Sequence, residues 1–335
     1  MSDITTKNPA QMTPQELEHL LFHYVGELMK LYDAGQNRIV TPENVYQPGV
    51  AKGRDLFEEL QEKLFLPNSG VEGLEHLDQC LEDLKAGRQV IFLADHRGNF
   101  DVPSFNALLR RHGARYAPIQ DRLTYVAGRK LNESSDLVKM FTEKYSRLVI
   151  VPRREIPQPS PDETPAQTEA RLAVEADASR INRAAFRALM KLKKEGHIFV
   201  LFPLGGRYKS GAKNEPVKES TSYVRAFDTA YLISMEGNLL PTKEVMEEER
   251  PVAAKVVFRV GPPLDCKRFL EQQQAAFEAL KDTSLADGSR LPPGMDADQY
   301  AVNHIMEMLA NLRRKGGYDM ENLSPSSRFD TSILG

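Results

Sequence analysis

Residues Val90–Asp101 read V-I-F-L-A-D-H-R-G-N-F-D, and the fold is decided by how this stretch is read. Val90–Ala94 is a short apolar run with the length and β-branched content of a buried strand. Arg97-Gly98-Asn99 suits a turn, and Pro103–Arg111 has the pattern of a helix. His96 therefore falls at the carboxyl end of a strand and Asp101 at the start of a helix, which is where open α/β sheets place their chemistry. An imidazole at neutral pH can take a proton from an alcohol, and a nearby carboxylate can hold its tautomer. Taken by itself, H-x-x-x-x-D is a common accident and reads equally as a surface histidine beside a helix-capping aspartate.

Three further strand ends carry cations. In His197–Gly211, H-I-F-V-L-F-P-L-G-G-R-Y-K-S-G, a strand runs into Gly205-Gly206, then Arg207 and Lys209. Paired glycines let backbone N–H groups approach an anion, and residues two apart on extended chain share a side. The alternative is a glycine turn with solvated charges, and the P-loop pattern is absent. Leu148–Glu155, L-V-I-V-P-R-R-E, ends in Arg153 and Arg154, whose guanidinium forks suit phosphate or a neighbouring carboxylate such as Glu155. Tyr125–Lys130, Y-V-A-G-R-K, is the fourth. In a parallel sheet the carboxyl ends of strands share an edge, so these loops are expected to meet. The ligand they imply is a phosphorylated alcohol, its hydroxyl near His96 and its phosphate near Arg207, Lys209 and Arg154.

Outward from these stretches, Thr13-Pro14-Gln15-Glu16 is a capping box, followed by apolar residues at helical spacing from Leu17 to Met29. A second helix is expected over Ala51–Leu64. Residues 1–70 contain no convincing strand and are read as a small all-helical N-terminal domain. From Val71 the pattern alternates: helix Val71–Leu84, the strand before His96, helix Pro103–Arg111, strand Thr124–Ala127, helix Ser134–Tyr145 and strand Leu148–Val151. Five prolines in Pro152–Gln167 predict a mobile, extended excursion. After it come a helix near Ala178–Glu195, strand His197–Phe202, helix Ser220–Thr229 and strands Ala230–Ser234 and Val252–Val260. Helices near Lys267–Lys281 and Asp296–Lys315 and a loosely held tail, Gly316–Gly335, complete the chain. The fold class is α/β: a mixed, mostly parallel central sheet flanked by helices over residues 71–335. No internal repeat is present.

Composition excludes several classes. The 335 residues, 41% hydrophobic and 27% charged, are those of an ordinary globular protein with a sizeable core. A net charge of −3 argues against bulk attraction to nucleic acid, and no nucleic-acid-binding motif is present. Cys80 and Cys266 form no metal-ligand spacing and suit free thiols in a reducing compartment. The other histidines have no metal-ligand spacing either. No apolar run approaches the ~20 residues that cross a bilayer, and the first dozen residues lack signal or transit character, so a soluble protein is expected. Arg110-Arg111-His112-Gly113-Ala114-Arg115 reads as a solvated face or as a docking surface for an acidic carrier protein.

In that order, H-R-G-N-F-D, V-A-G-R-K, V-P-R-R-E and F-P-L-G-G-R-Y-K resemble the blocks of the glycerolipid acyltransferases. More narrowly, the chain resembles the soluble, plastid-type glycerol-3-phosphate 1-acyltransferases over roughly residues 10 to 320. The segment Leu239–Arg250 and Val260-Gly261 are similar to a later stretch of that family. The resemblance implies transfer of a fatty acyl group from acyl carrier protein, or coenzyme A, to the sn-1 hydroxyl of glycerol 3-phosphate, the first step of phospholipid synthesis. It implies His96 as base, Asp101 as its partner, and Arg207 and Lys209 as phosphate-binding, within the loop of Gly205 and Gly206. The family's Lys-His pair is matched by Arg154 and Glu155. Glu155 departs from it, since a carboxylate there repels phosphate, and Arg153 is the cation that would compensate. The insertion Pro157–Gln167 and the lysine at 209 are lesser departures. No metal or cofactor is implied beyond the phosphopantetheine that the acyl donor carries. A cytoplasmic location is implied, or the plastid stroma if a transit peptide precedes this chain, with transient contact to a membrane surface. The alternatives are a 1-acylglycerol-3-phosphate acyltransferase and a non-catalytic lipid- or phosphate-binding relative.

Overall fold

In the computed structural model, residues 4–32, 39–133, 136–208, 214–243, 248–281 and 291–314 are described. The front half holds α1 (Pro14–Leu31), β1 (Tyr46–Gln47), α2 (Arg54–Leu64), β2 (Gly70–Glu72), α3 (Leu74–Lys85), β3 (Val90–Ala94), α4 (Asp101–Arg110), α5 (Ala117–Gln120), β4 (Leu123–Gly128), α6 (Arg129–Glu133) and α7 (Asp136–Thr142). There follow β5 (Arg147–Ile150), α8 (Pro165–Leu192), β6 (Ile198–Leu201), α9 (Ser220–Val224), β7 (Thr229–Glu236), β8 (Val257–Val260), β9 (Leu264–Asp265), α10 (Cys266–Leu280) and α11 (Ala297–Arg313).

One mixed sheet runs through the molecule in the order β1-β5-β4-β6-β3-β7-β8-β2, with β9 beside β7. The five central strands, β5, β4, β6, β3 and β7, are mutually parallel. Antiparallel β1 closes one side, and β8 and β9 run antiparallel to β7 at the other. Helices cover both faces, and β3 shows why its sequence is apolar throughout. Val90, Phe92 and Ala94 enter one apolar layer, while Ile91 and Leu93 enter the opposite one. The mixed, mostly parallel sheet expected from the alternating pattern is the architecture observed.

Residues 1–70, expected as an all-helical unit, share their core with the sheet. Leu20, Leu28, Leu60 and Leu64 are fully buried in the same apolar layer as Phe92 and Tyr231. The same stretch also supplies β1, whose Tyr46 lies opposite Leu148 of β5. Two residues are too few to show a period of two, so no pattern announces this strand. The expected helix from Val71 is corrected as well. Gly70–Glu72 is a strand parallel to β8, and α3 begins only after Gly73, whose φ of +78° marks the turn.

The proline-rich stretch is the largest correction. Thr164 and Gln167 form a full capping box with Pro165 at the first position, so α8 starts at 165 rather than near 178. Ahead of the cap, Glu163 accepts a two-oxygen contact from Arg171 at 2.9 and 3.1 Å. Capping chemistry outweighs proline content here. Strand β7 extends past its expected end to Glu236, and β8 starts at Val257 rather than Val252. Part of the expected helix Ser134–Tyr145, Lys209 and the tail from Gly316 lie outside the described residues.

If α2 is built into the core, Leu60→Ala should lower unfolding free energy by about 2–5 kcal/mol, the usual cost of emptying a buried leucine site. Phe22→Ala, on the exposed face of α1, should change it by only about 0.5 kcal/mol or less. Chemical denaturation of the two variants measures both, and equal losses would contradict this packing.

Candidate active site

Parallel pairing brings the loops together. β3 and β6 are in register at Ile91–Phe199 and Leu93–Leu201, so the chains leaving them emerge side by side at the same edge. The Phe202 ring stacks on the His96 imidazole with centroids 4.3 Å apart and planes 23° from parallel. The Tyr208 N–H donates to the His96 carbonyl oxygen at 2.7 Å. The histidine loop and the Gly-Gly-Arg loop are thus joined directly.

α4 starts at Asp101, in the first turn after the histidine loop, where the helix dipole favours a carboxylate. Its Oδ2 lies 2.9 Å from His96 Nδ1 and accepts from the backbone N–H groups of Arg97 at 2.6 Å and Gly98 at 3.0 Å. The Asp101 side chain is buried and that of His96 partly so. A carboxylate held by two peptide N–H groups cannot rotate away from the ring. Facing it, Nδ1 is the protonated nitrogen, and Nε2, with no protein partner among the described residues, presents its lone pair. This is the arrangement a histidine base needs.

The loop is strapped from above by the connection between β7 and β8. Asn238 Nδ2 and Thr242 Oγ1 both donate to the Arg97 carbonyl, at 2.9 and 2.8 Å, and Gly98 bridges to Pro241. A Cβ on Gly98 would sit 2.4 Å from Asn238 Oδ1, so a side chain there would push Asn238 off the Arg97 carbonyl. Below the loop, buried Asp95 accepts from Arg313 at the end of α11 at 3.0 Å, and burial raises its pKa above the ordinary value. Arg97 lies over the Tyr208 ring at 4.9 Å; burial, with Arg313 nearby, lowers its pKa.

The cations are placed unequally. Arg207, mostly buried, pairs through Nη1 with Glu249, whose other oxygen accepts from Asn99 Nδ2 at 2.9 Å. Glu249 therefore ties the arginine loop to the histidine loop. Gly205 is left-handed at φ +66°, and a Cβ on Gly206 would lie 2.6 Å from Arg154 Nη1. The double glycine thus lets the Arg154 guanidinium lie against the loop that carries Arg207. Arg153 is not brought there: its side chain is exposed and its guanidinium is 3.6 Å from Glu219. Lys209 lies outside the described residues.

Glu155 turns toward the end of β4. Its Oε1 packs 3.1 Å from the position a Gly128 Cβ would occupy, and burial raises its pKa against the pull of Lys130, Arg129 and Arg154. The carboxylate that departs from the expected pattern is thus set among cations. Arg129 is engaged by Asp177 at 3.0 Å and Glu133 at 3.8 Å. The run Arg110–Arg115 is likewise occupied: Arg110 binds Asp55 and Glu58, Arg111 binds Glu62, and Arg115 binds Asp78. Sequence reasoning missed Phe202, Asn238 and Glu249. Phe202 was signalled by its place at the strand end. Glu249 lies 150 residues from Asn99 and had no local signal.

Among the described residues, no group of three or more His, Cys, Asp or Glu side chains could hold a metal ion, and no helix is long and apolar enough to cross a membrane. No family model matches the chain, and no curated protein matches it. Among solved structures, it is similar to the crystal structure of the 1-acyl-sn-glycerophosphate (LPA) acyltransferase PlsC from Thermotoga maritima. The two share 14% identity over 90% of this chain and 88% of that chain, with a TM-score of 0.42. That likeness is too slight to assign a family.

Proposed function

We propose that this protein is an acyltransferase that moves a fatty acyl group from a thioester donor, acyl carrier protein or coenzyme A, to the sn-1 hydroxyl of glycerol 3-phosphate. The observation that carries this reading is a single edge on which Asp101 holds His96 Nδ1, leaving Nε2 without a protein partner among the described residues, beside a glycine loop that carries Arg207 and has Arg154 against it. The order of the sequence blocks supports the same reading. His96 takes the proton of the acceptor hydroxyl as its oxygen attacks the thioester carbonyl carbon. The C–O bond forms, the C–S bond breaks, and the imidazolium returns the proton to the departing thiolate. Asp101 stabilises the imidazolium between those steps.

Phosphate binding falls to Arg207 and Arg154, with Lys209 as the third candidate. Because Glu249 occupies Arg207 Nη1, the phosphate would meet the remaining guanidinium nitrogens of that residue. Arg153 could join only by leaving Glu219. A 1-acylglycerol-3-phosphate acceptor presents the same phosphate and a free hydroxyl, and it is the acceptor of the reaction for which the PlsC structure is named. The acceptor preference separates these readings. The expected location is cytoplasmic or stromal, with contact to a membrane surface when the lipid product leaves.

With glycerol 3-phosphate and either thioester, His96→Ala should lower kcat/KM by about 10²–10⁴-fold, the contribution of a positioned base. Undiminished turnover in that variant would remove His96 from the mechanism. A rate dependent on monoacylated acceptor would transfer the assignment to the second reaction.

Arg207→Ala should act mainly on KM for the phosphate substrate, by roughly 10–100-fold, the worth of a charge-assisted contact. A fall in kcat at unchanged KM would place Arg207 in the transition state instead.

A further inference from the structure

Among the described residues, many helix-borne surface cations have a carboxylate at hand. Lys30 pairs with Glu27, Lys85 with Glu82 and Lys281 with Glu278, each one helical turn apart. Arg110, Arg111 and Arg115 are each met by an acid from α2 or α3. The second half of α8 departs from this habit. Arg180, Arg183, Arg187 and Lys191, then Lys194 just beyond the helix, recur every three or four residues, and all are exposed. They form one stripe about 20 Å long. The opposite face, Ile181, Ala184, Ala185 and Leu189, is locked in the core, so the stripe must face outward.

Among the described residues, acids meet only two members of the stripe, Arg180 with Asp177 at 3.0 Å and Lys191 with Glu195 at 3.8 Å. Arg183 and Arg187 have no carboxylate partner among the described residues. Four successive pairs along the stripe place like charges three or four residues apart, an arrangement that weakens a helix. The helix dipole favours cations in the last turn, which covers Lys191 and Lys194 but not the three arginines. Beside the stripe, one turn after Arg183, stands Phe186, 50% exposed. A chain with net charge −3 thus maintains a repulsive basic strip next to a solvent-facing aromatic ring.

We propose that this stripe is a docking face for an acidic helical protein, with Phe186 as its apolar anchor. Exposed arginine beside an exposed aromatic side chain is a composition enriched at protein–protein contacts. The dimensions favour a protein over a bilayer. Glu169, Glu175 and Asp177 precede the stripe and Glu195 follows it, so the positive surface ends abruptly along the helix in both directions. A facing helix with spaced carboxylates matches it, whereas an anionic bilayer would also press on the flanking acids. Asn182 fixes the stripe beside the end of β5, its side chain bonding the Val151 N–H and carbonyl at 2.8 and 2.9 Å. That strand end leads to Arg154, so the Arg180–Arg183 end of the stripe lies nearest the candidate site, and the helix runs from there toward the amino end of β6. If the partner is the acyl-bearing carrier, this further step rests on the proposed acyltransferase activity; the docking does not.

The test is direct binding of acyl carrier protein without an acyl group to the full-length protein, by titration calorimetry at low and moderate salt. Binding should weaken with salt, fall roughly tenfold or more in R183E/R187E and several-fold in Phe186→Ala. K267E/R268E, an equal change of charge on exposed residues of α10, should bind within about twofold of the parent. Circular dichroism and Tm of each variant confirm that the fold is retained. No binding by the parent, or equal losses in R183E/R187E and K267E/R268E, would overturn the proposal. So would stripe-dependent binding to phosphatidylglycerol vesicles with none to the carrier protein. Stripe-dependent carrier binding in a protein that transfers no acyl group would uphold the docking face and remove the proposed reaction.

Discussion

Everything at the candidate site follows from the parallel pairing of β3 with β6 on one side and β7 on the other. β3 is buried on both faces, so a one-residue slip would push Phe92 into the layer that Ile91 and Leu93 fill and disrupt the packing of both layers. Parallel strands deliver their carboxyl ends to a common edge. His96, the Gly205-Gly206 turn and the start of the strap after β7 therefore emerge within contact of each other, although they lie far apart in the chain.

The edge is then made rigid by polar groups removed from water. Three hydrogen bonds converge on one oxygen of Asp101. Two side chains of the strap hold one carbonyl, that of Arg97. Glu249, nearly inaccessible to solvent, binds an arginine from one loop and an amide from another. Each arrangement leaves a group that would be costly to bury alone, so the loops are more stable together than apart. The imidazole is further confined by the Phe202 ring against its face. A histidine so enclosed keeps only Nε2 for chemistry.

Much of this was legible in the residues. The β3 run, the turn at Gly98 and the helix after it place His96 and Asp101 from local pattern alone, and the structure puts them 2.9 Å apart. The capping box at Thr13 is present in full. Other features were misread for identifiable reasons. Proline content in 152–167 suggested an extended excursion, but Thr164, Pro165 and Gln167 start a helix. Val71 sits in a three-residue strand, too short to show its period. The basic run Arg110–Arg115 read as a solvated face or a docking surface, while carboxylates of α2 and α3, 37 to 55 residues earlier, already hold its arginines.

By itself, then, the order of residues determined the α/β class, the buried central strand and the identity of the paired histidine and aspartate, because those depend on neighbours within a few positions. Only the tertiary structure decided which cations serve the site. Arg154 is turned onto Gly206, Arg153 away to Glu219, and Arg207 is bound by Glu249. The reason is physical: Arg153 and Arg207 go where their counter-charges lie, and those carboxylates, like the glycine loop that receives Arg154, come from distant segments that only the folded sheet brings within reach.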